Sequence, residues 1–120
     1  MPIDEIEELK ISFVKNLSPL RIYLFGSFAE GWETEESDFD FYIVVSDSEK
    51  DMLALTAMAY KAIRHKRSRP VDIIVNTDET FENMKTGAGS LGGEVAEKGI
   101  LLYEACPEPS ETADYVLLQK

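Results

Sequence analysis

Apolar residues recur at helical spacing through Ile3, Ile6, Leu9, Phe13 and Leu17, which predicts an amphipathic helix over residues 3–17. Asp4 with Glu7 makes a capping pair at its start, and Ser18-Pro19 stops it. Residues 20–25 are apolar with Arg21 and Tyr23 interspersed and predict a first strand. Residues 27–31 form a short helix bounded by two glycines, and residues 33–37 an acidic turn. The next apolar run, residues 38–45, predicts a second strand. Side chains alternate faces along a strand, so Asp38 and Asp40 share one face while Phe39, Phe41, Ile43 and Val45 share the other.

Ser48 with Asp51 opens a second long helix with a core stripe of Met52, Leu55, Thr56, Ala59 and Ile63. Pro70 marks the start of a third strand, residues 71–76. A shorter helix carrying Phe81 and Met84 begins at Asp78 or Thr80, and a loop covers residues 86–93. A final helical turn, residues 95–99, closes with Gly99 at the position just past the helix, and a short strand follows at residues 100–103. The alternation of helix and strand predicts a layered architecture of helices on a sheet. Periodicity alone leaves the sheet's strand directions open.

The chemistry concentrates around the second strand. Leu24-Phe25-Gly26-Ser27 ends an apolar run in a Gly-Ser turn, and Asp38-Phe39-Asp40 follows after ten intervening residues. Two acids at one strand start repel each other and raise each other's pKa unless a cation sits between them. Hard oxygen ligands at that spacing suit Mg²⁺, which takes one or two carboxylates plus substrate phosphates. Gly26 and Ser27 would let backbone N–H groups and a hydroxyl approach those phosphates closely. A further aspartate, Asp72, stands isolated inside the apolar third strand.

Gly26-Ser27, the ten-residue spacer and Asp38-Phe39-Asp40 resemble the signature of the DNA polymerase β-like nucleotidyltransferase superfamily. The form G-S-x-A-x-G…S-D-x-D most resembles the minimal nucleotidyltransferases, proteins often paired with a HEPN-domain partner. The resemblance covers residues 20–104, about, and implies an α+β fold, a mixed β-sheet with helices packed mainly on one side. It implies Asp72 as the third carboxylate. It also implies two Mg²⁺ ions held by Asp38, Asp40 and Asp72, with Gly26 and Ser27 on the triphosphate of a nucleotide, ATP foremost. The activity implied is transfer of a nucleoside monophosphate to a hydroxyl on a HEPN-type toxin, which would be silenced by it. The alternative is a binding module that neutralises its partner by contact alone. Phe28 and Glu30 depart from the family, which often carries a basic residue in this turn.

Composition narrows the rest. The 120 residues suffice for one core and leave no room for a separate acceptor domain. We divide them into a nucleotidyltransferase domain, residues 1–104, and a tail, residues 105–120, with a Pro-rich linker and an apolar patch from Tyr115 to Leu118. The N-terminus lacks signal-peptide character, no run reaches the length of a membrane span, and the single cysteine, Cys106, suits a reducing cytoplasm. A net charge of −11 argues against direct nucleic-acid binding through the whole surface. It leaves nucleotides open, because metal ions invert the local charge. Lys61, Arg64, His65, Lys66, Arg67 and Arg69 form a basic cluster, read as a solvated helix C-terminus. Gly87 to Gly92 fits G-x-G-x-x-G but follows a helical piece, so it reads as a loop. One histidine excludes a multi-histidine metal site, and Trp32 reads as packing over the turn.

Overall fold

The structure, a computed structural model, describes residues 3–85 and 91–105. In chain order the elements are α1 (Ile3–Leu17), β1 (Arg21–Phe25), α2 (Ser27–Glu30), β2 (Phe39–Val45), α3 (Met52–Ala62), β3 (Val71–Thr77), α4 (Asp78–Lys85), α5 (Leu91–Lys98) and β4 (Ile100–Glu104). The four strands form one sheet in the order β3-β2-β1-β4. β1 runs antiparallel to both β2 and β4, whereas β2 and β3 are parallel. A parallel pair needs a crossover, and α3 supplies it. The sheet is therefore mixed and the fold α+β, as the resemblance implied.

The larger core lies on one face. Leu9, Phe13 and Leu17 of α1, with Leu55 and Ala59 of α3, cover Ile22, Leu24, Phe41, Ile43, Ile73 and Val75 of the strands. Of the stripe expected on α3, Leu55, Ala59 and Ile63 are buried, while Met52 and Thr56 are half-buried. The opposite face is also covered. Tyr42 and Val44, on the same side of β2 as Asp40, are fully buried beneath Phe81 of α4 and Val95 of α5. Phe81 stacks 5.3 Å from Tyr23 and sits 5.2 Å from Tyr42, and Arg21 pairs with Asp78 in the first turn of α4. The carboxylate face of β2 is thus open only at its start and becomes a second, smaller core farther along.

Several boundaries differ from the expectations in physically clear ways. Asp38 lies one residue before β2. Asp51 caps α3 by accepting from the Ala54 N–H at 3.0 Å, while the Ser48 hydroxyl turns to that of Ser46. Asp4 and Glu7 do not form a capping pair: Asp4 already lies inside α1, and the Glu7 carboxylate pairs with Lys10 at 2.7 Å. α5 begins at Leu91, inside the segment expected as loop, and α4 precedes that segment, so among the described residues no strand leads into the G-x-G-x-x-G residues. Gly99 does close α5, its N–H donating to the Val95 carbonyl at 2.8 Å. The reason is space rather than a left-handed φ: a Cβ at Gly99 would lie 2.5 Å from the Val95 oxygen. The tail patch and Cys106 lie outside the described residues.

Candidate active site

The site forms where β1 ends and β2 and β3 begin. In the antiparallel register Phe25 pairs with Asp40, and in the parallel register Asp40 pairs with Asp72. Paired residues on neighbouring strands point to the same face, so the Asp40 and Asp72 side chains stand next to each other. Asp38, half-buried in the lead-in to β2, adds a third charge close enough to act on Asp40. Burial, then the charges of Asp72 and Asp38, then hydrogen bonding with Asp72 push the Asp40 carboxyl up to about 6. β2, dense in aromatic and β-branched residues, accepts Asp40 near its start, and solvent still reaches Asp72 on the neighbouring β3.

Gly26 turns the chain directly over Asp40. It adopts φ 76°, a left-handed conformation favouring glycine. A Cβ there would lie 2.3 Å from Oδ2 of Asp40, so any side chain would drive the carboxylate away. The Glu30 N–H closes the turn onto the Gly26 carbonyl at 3.1 Å, and the Gly31 and Trp32 N–H groups both reach the Ser27 carbonyl, at 2.9 and 3.1 Å. Ser27 itself is nearly covered, at 8% exposure. The turn and the acids therefore form one unit, with backbone packed against carboxylate.

The residues around the turn sort differently from the expectation. Phe28 points away from the acids into the core, 4.8 Å from the ring of Phe39, so its replacement of a basic residue does not place an apolar ring over the acids. Trp32 does not pack over the turn; it is 65% exposed. Glu30, Glu35 and Glu36 are solvated, but Glu33 is half-buried with one carboxylate oxygen covered and without a hydrogen-bond partner. The basic cluster divides as well. Lys61, Arg64, His65, Lys66 and Arg67 are exposed, whereas Arg69 is half-buried beside Phe28, Phe39 and the Ser37 carbonyl. Reading Arg69 with its sequence neighbours missed this. The signal was Pro70, which sets Arg69 in the lead-in to β3 rather than at the end of α3.

The donor set suits a hard divalent cation. No three His, Cys, Asp or Glu residues among those described gather tightly enough to enclose a metal by themselves. Mg²⁺ does not ask for that, since it takes one or two carboxylates and fills its octahedron with water and substrate phosphates. Asp40 and Asp72 side by side, with Asp38 near, form that kind of partial set, and a cation there would relieve the repulsion that raises Asp40.

The solved structure of a Sulfolobus solfataricus protein assigned as a nucleotidyltransferase superposes with a TM-score of 0.59 at 21% identity, over 96% of this chain and 86% of that one. A toxin–antitoxin structure solved with AMP-PNP superposes with a TM-score of 0.54 at 20% identity, over 88% of this chain and 75% of that one. At these identities the likeness carries the fold. No curated protein sequence matches the chain significantly. The sequence family described as polymerase beta, nucleotidyltransferase, matches residues 7–108, which spans β1, the Gly-Ser turn, Asp38 and the strands bearing Asp40 and Asp72. The chain belongs to the polymerase beta nucleotidyltransferase family.

Proposed function

We propose that the protein transfers a nucleoside monophosphate, AMP from ATP, to a side-chain hydroxyl of a HEPN-type partner protein, as the antitoxin of a toxin–antitoxin pair. The observation that carries this is the register pairing of Asp40 with Asp72 beneath Gly26, which sets two carboxylates beside a glycine turn. Asp38, Asp40 and Asp72 would hold two Mg²⁺ ions. Bound there, the ions would neutralise the triphosphate and favour in-line displacement at the α-phosphorus. Gly26 and Ser27 hold the triphosphate tail. Asp72, the most solvent-accessible of the three acids, orients the acceptor hydroxyl and takes its proton as the new O–P bond forms and pyrophosphate departs. The protein contributes positioning and charge placement rather than a covalent intermediate.

Support for a partner comes from the likeness to a toxin–antitoxin structure. The second reading, neutralisation by contact alone, draws on the exposed Glu30, Glu35 and Glu36, which repel a polyanionic nucleotide. Incubation of the full chain with labelled ATP, Mg²⁺ and the product of the adjacent gene separates the two. Transfer predicts a mass gain of one or more AMP units on a Tyr, Ser or Thr of the partner. Substituting Asp38, Asp40 and Asp72 together by asparagine should erase the gain while the complex persists. If the partner is never modified and the triple variant neutralises it as well as wild type, the contact reading stands and the transferase reading does not.

A further inference from the structure

Arg69 stands three residues before Asp72 and is turned inward from the exposed basic residues that precede it. Its guanidinium carbon lies 5.0 Å from the ring centre of Phe28 and 5.0 Å from that of Phe39. The two rings are 4.8 Å apart and inclined at 51°, so the cation completes a three-part stack. Nη1 donates to the Ser37 carbonyl at 3.3 Å. Nε is buried and makes no hydrogen bond, so the two rings and this carbonyl are what locate the group.

Each of those contacts is a chain neighbour of a site residue. Phe28 follows Ser27, Ser37 precedes Asp38, and Phe39 lies between Asp38 and Asp40. Arg69 itself belongs to the lead-in of β3, which carries Asp72. One side chain therefore joins the three separate segments that bring the turn and the acids together. The negative charges acting on Asp40 are those of Asp72 and Asp38. What Arg69 offers the site is a planar, weakly hydrated surface that stacks on rings while its edge donates to a carbonyl, which a lysine ammonium does not reproduce.

We propose that Arg69 is a positioning residue. It clamps the Gly26-Ser27 turn and the approach to Asp38 onto the start of β3, holding the phosphate-facing turn at a fixed spacing from the carboxylates. The inference rests on the nucleotidyl-transfer reading of the site.

Calorimetric titration of the full chain with Mg²⁺ and a non-hydrolysable ATP analogue, well below the unfolding temperature, tests it. Arg69→Met should bind about tenfold more weakly, as misplacement of a positioned group does. Arg69→Lys should show the same loss, and the ratio to wild type should not change between low and high salt. Ser27→Ala with Arg69→Met should lose less than the product of the two single losses, because Arg69 acts through the turn. A merely structural role would lower the melting temperature and leave the affinity of the folded protein unchanged. Wild-type affinity in Arg69→Met overturns the inference, as does salt-sensitive rescue by lysine or full multiplicativity in the double variant. Should Arg69→Met not fold, Phe28→Leu removes one ring at similar volume and should bind several-fold more weakly. Wild-type affinity there overturns the clamp. If wild type itself shows no Mg²⁺-dependent binding, the reading of the site falls, and the clamp with it; loss confined to the variants leaves that reading standing.

Discussion

Asp40 is the residue on which the electrostatics of the site turn. Its folded-state carboxyl titrates near 6, against 3.8 without the fold, because it is partly buried and faces two other acids. Between those values the folded chain binds more protons than the unfolded one. Without metal, stability is therefore highest below the lower value and is lost as pH rises through the upper one. Asp40→Asn should remove that penalty. We expect the variant to be more stable than wild type by about 1–2 kcal/mol above pH 7 in EDTA, after discounting for solvent screening. The gain should fade toward zero below about pH 3, where wild-type Asp40 is protonated in both states. Urea titrations across that range would show it, and a pH-independent difference would contradict the assignment. Asp38, Asp40, Asp72, Gly26 and Ser27 were all legible as candidates because their residue types are informative against an apolar background. Arg69 was not, because composition grouped it with cations that turn out to be exposed. The fit of Gly26 over Asp40 was invisible for a related reason: a 2.3 Å conflict between a notional Cβ and a carboxylate exists only once β1 and β2 are in register.

At the scale of elements, periodicity located every strand and helix in the described residues to within a few positions. Apolar spacing reports which way a face points, but it does not report what covers it. Residues 41–45 are uniformly apolar and all buried, so β2 reads equally well as a strand with one buried face or with two. On the first alternative the acids stand alone on their side. Instead α4 and α5 close over that face, and Phe81, 1% exposed, is the residue that fastens α4. It lies between the rings of Tyr23 and Tyr42, with Arg21 and Lys85 5.7 and 5.8 Å from its centre. Phe81→Ala should therefore cost about 3–5 kcal/mol, the range for losing a buried phenylalanine. Amide hydrogen exchange should quicken first across α4 and only later in α1 and α3, which pack on the other face. Uniform loss of protection in all helices would mean that the smaller core has no separate identity.

For the whole molecule, the site and both cores share one sheet, so occupancy of the site should register in global unfolding. The acids belong to the starts of β2 and β3, the two strands that supply most of the strand residues of the larger core, and the turn belongs to the end of β1. None of these segments can come apart while a ligand bridges them. A ligand that binds only the folded state at a hundred times its dissociation constant adds about 2.7 kcal/mol, or on the order of 10 °C for a domain of this size. Mg²⁺ with ATP should produce that rise together. ATP alone should not, because a polyanion meets Asp38, Asp40, Asp72 and an acidic connection in a chain of net charge −11. Mg²⁺ alone should give a smaller rise that grows as pH climbs past about 6, the point at which Asp40 gives up its proton. Asparagine at both Asp40 and Asp72 should abolish the joint rise while leaving unfolding cooperative, since the pair lies at the solvent edge of the sheet rather than within either core. Differential scanning fluorimetry with the four combinations of Mg²⁺ and ATP, on wild type and the double variant, gives the comparison directly. A rise with ATP in EDTA equal to that with Mg²⁺ would place the nucleotide elsewhere on the protein and remove the carboxylates from its binding.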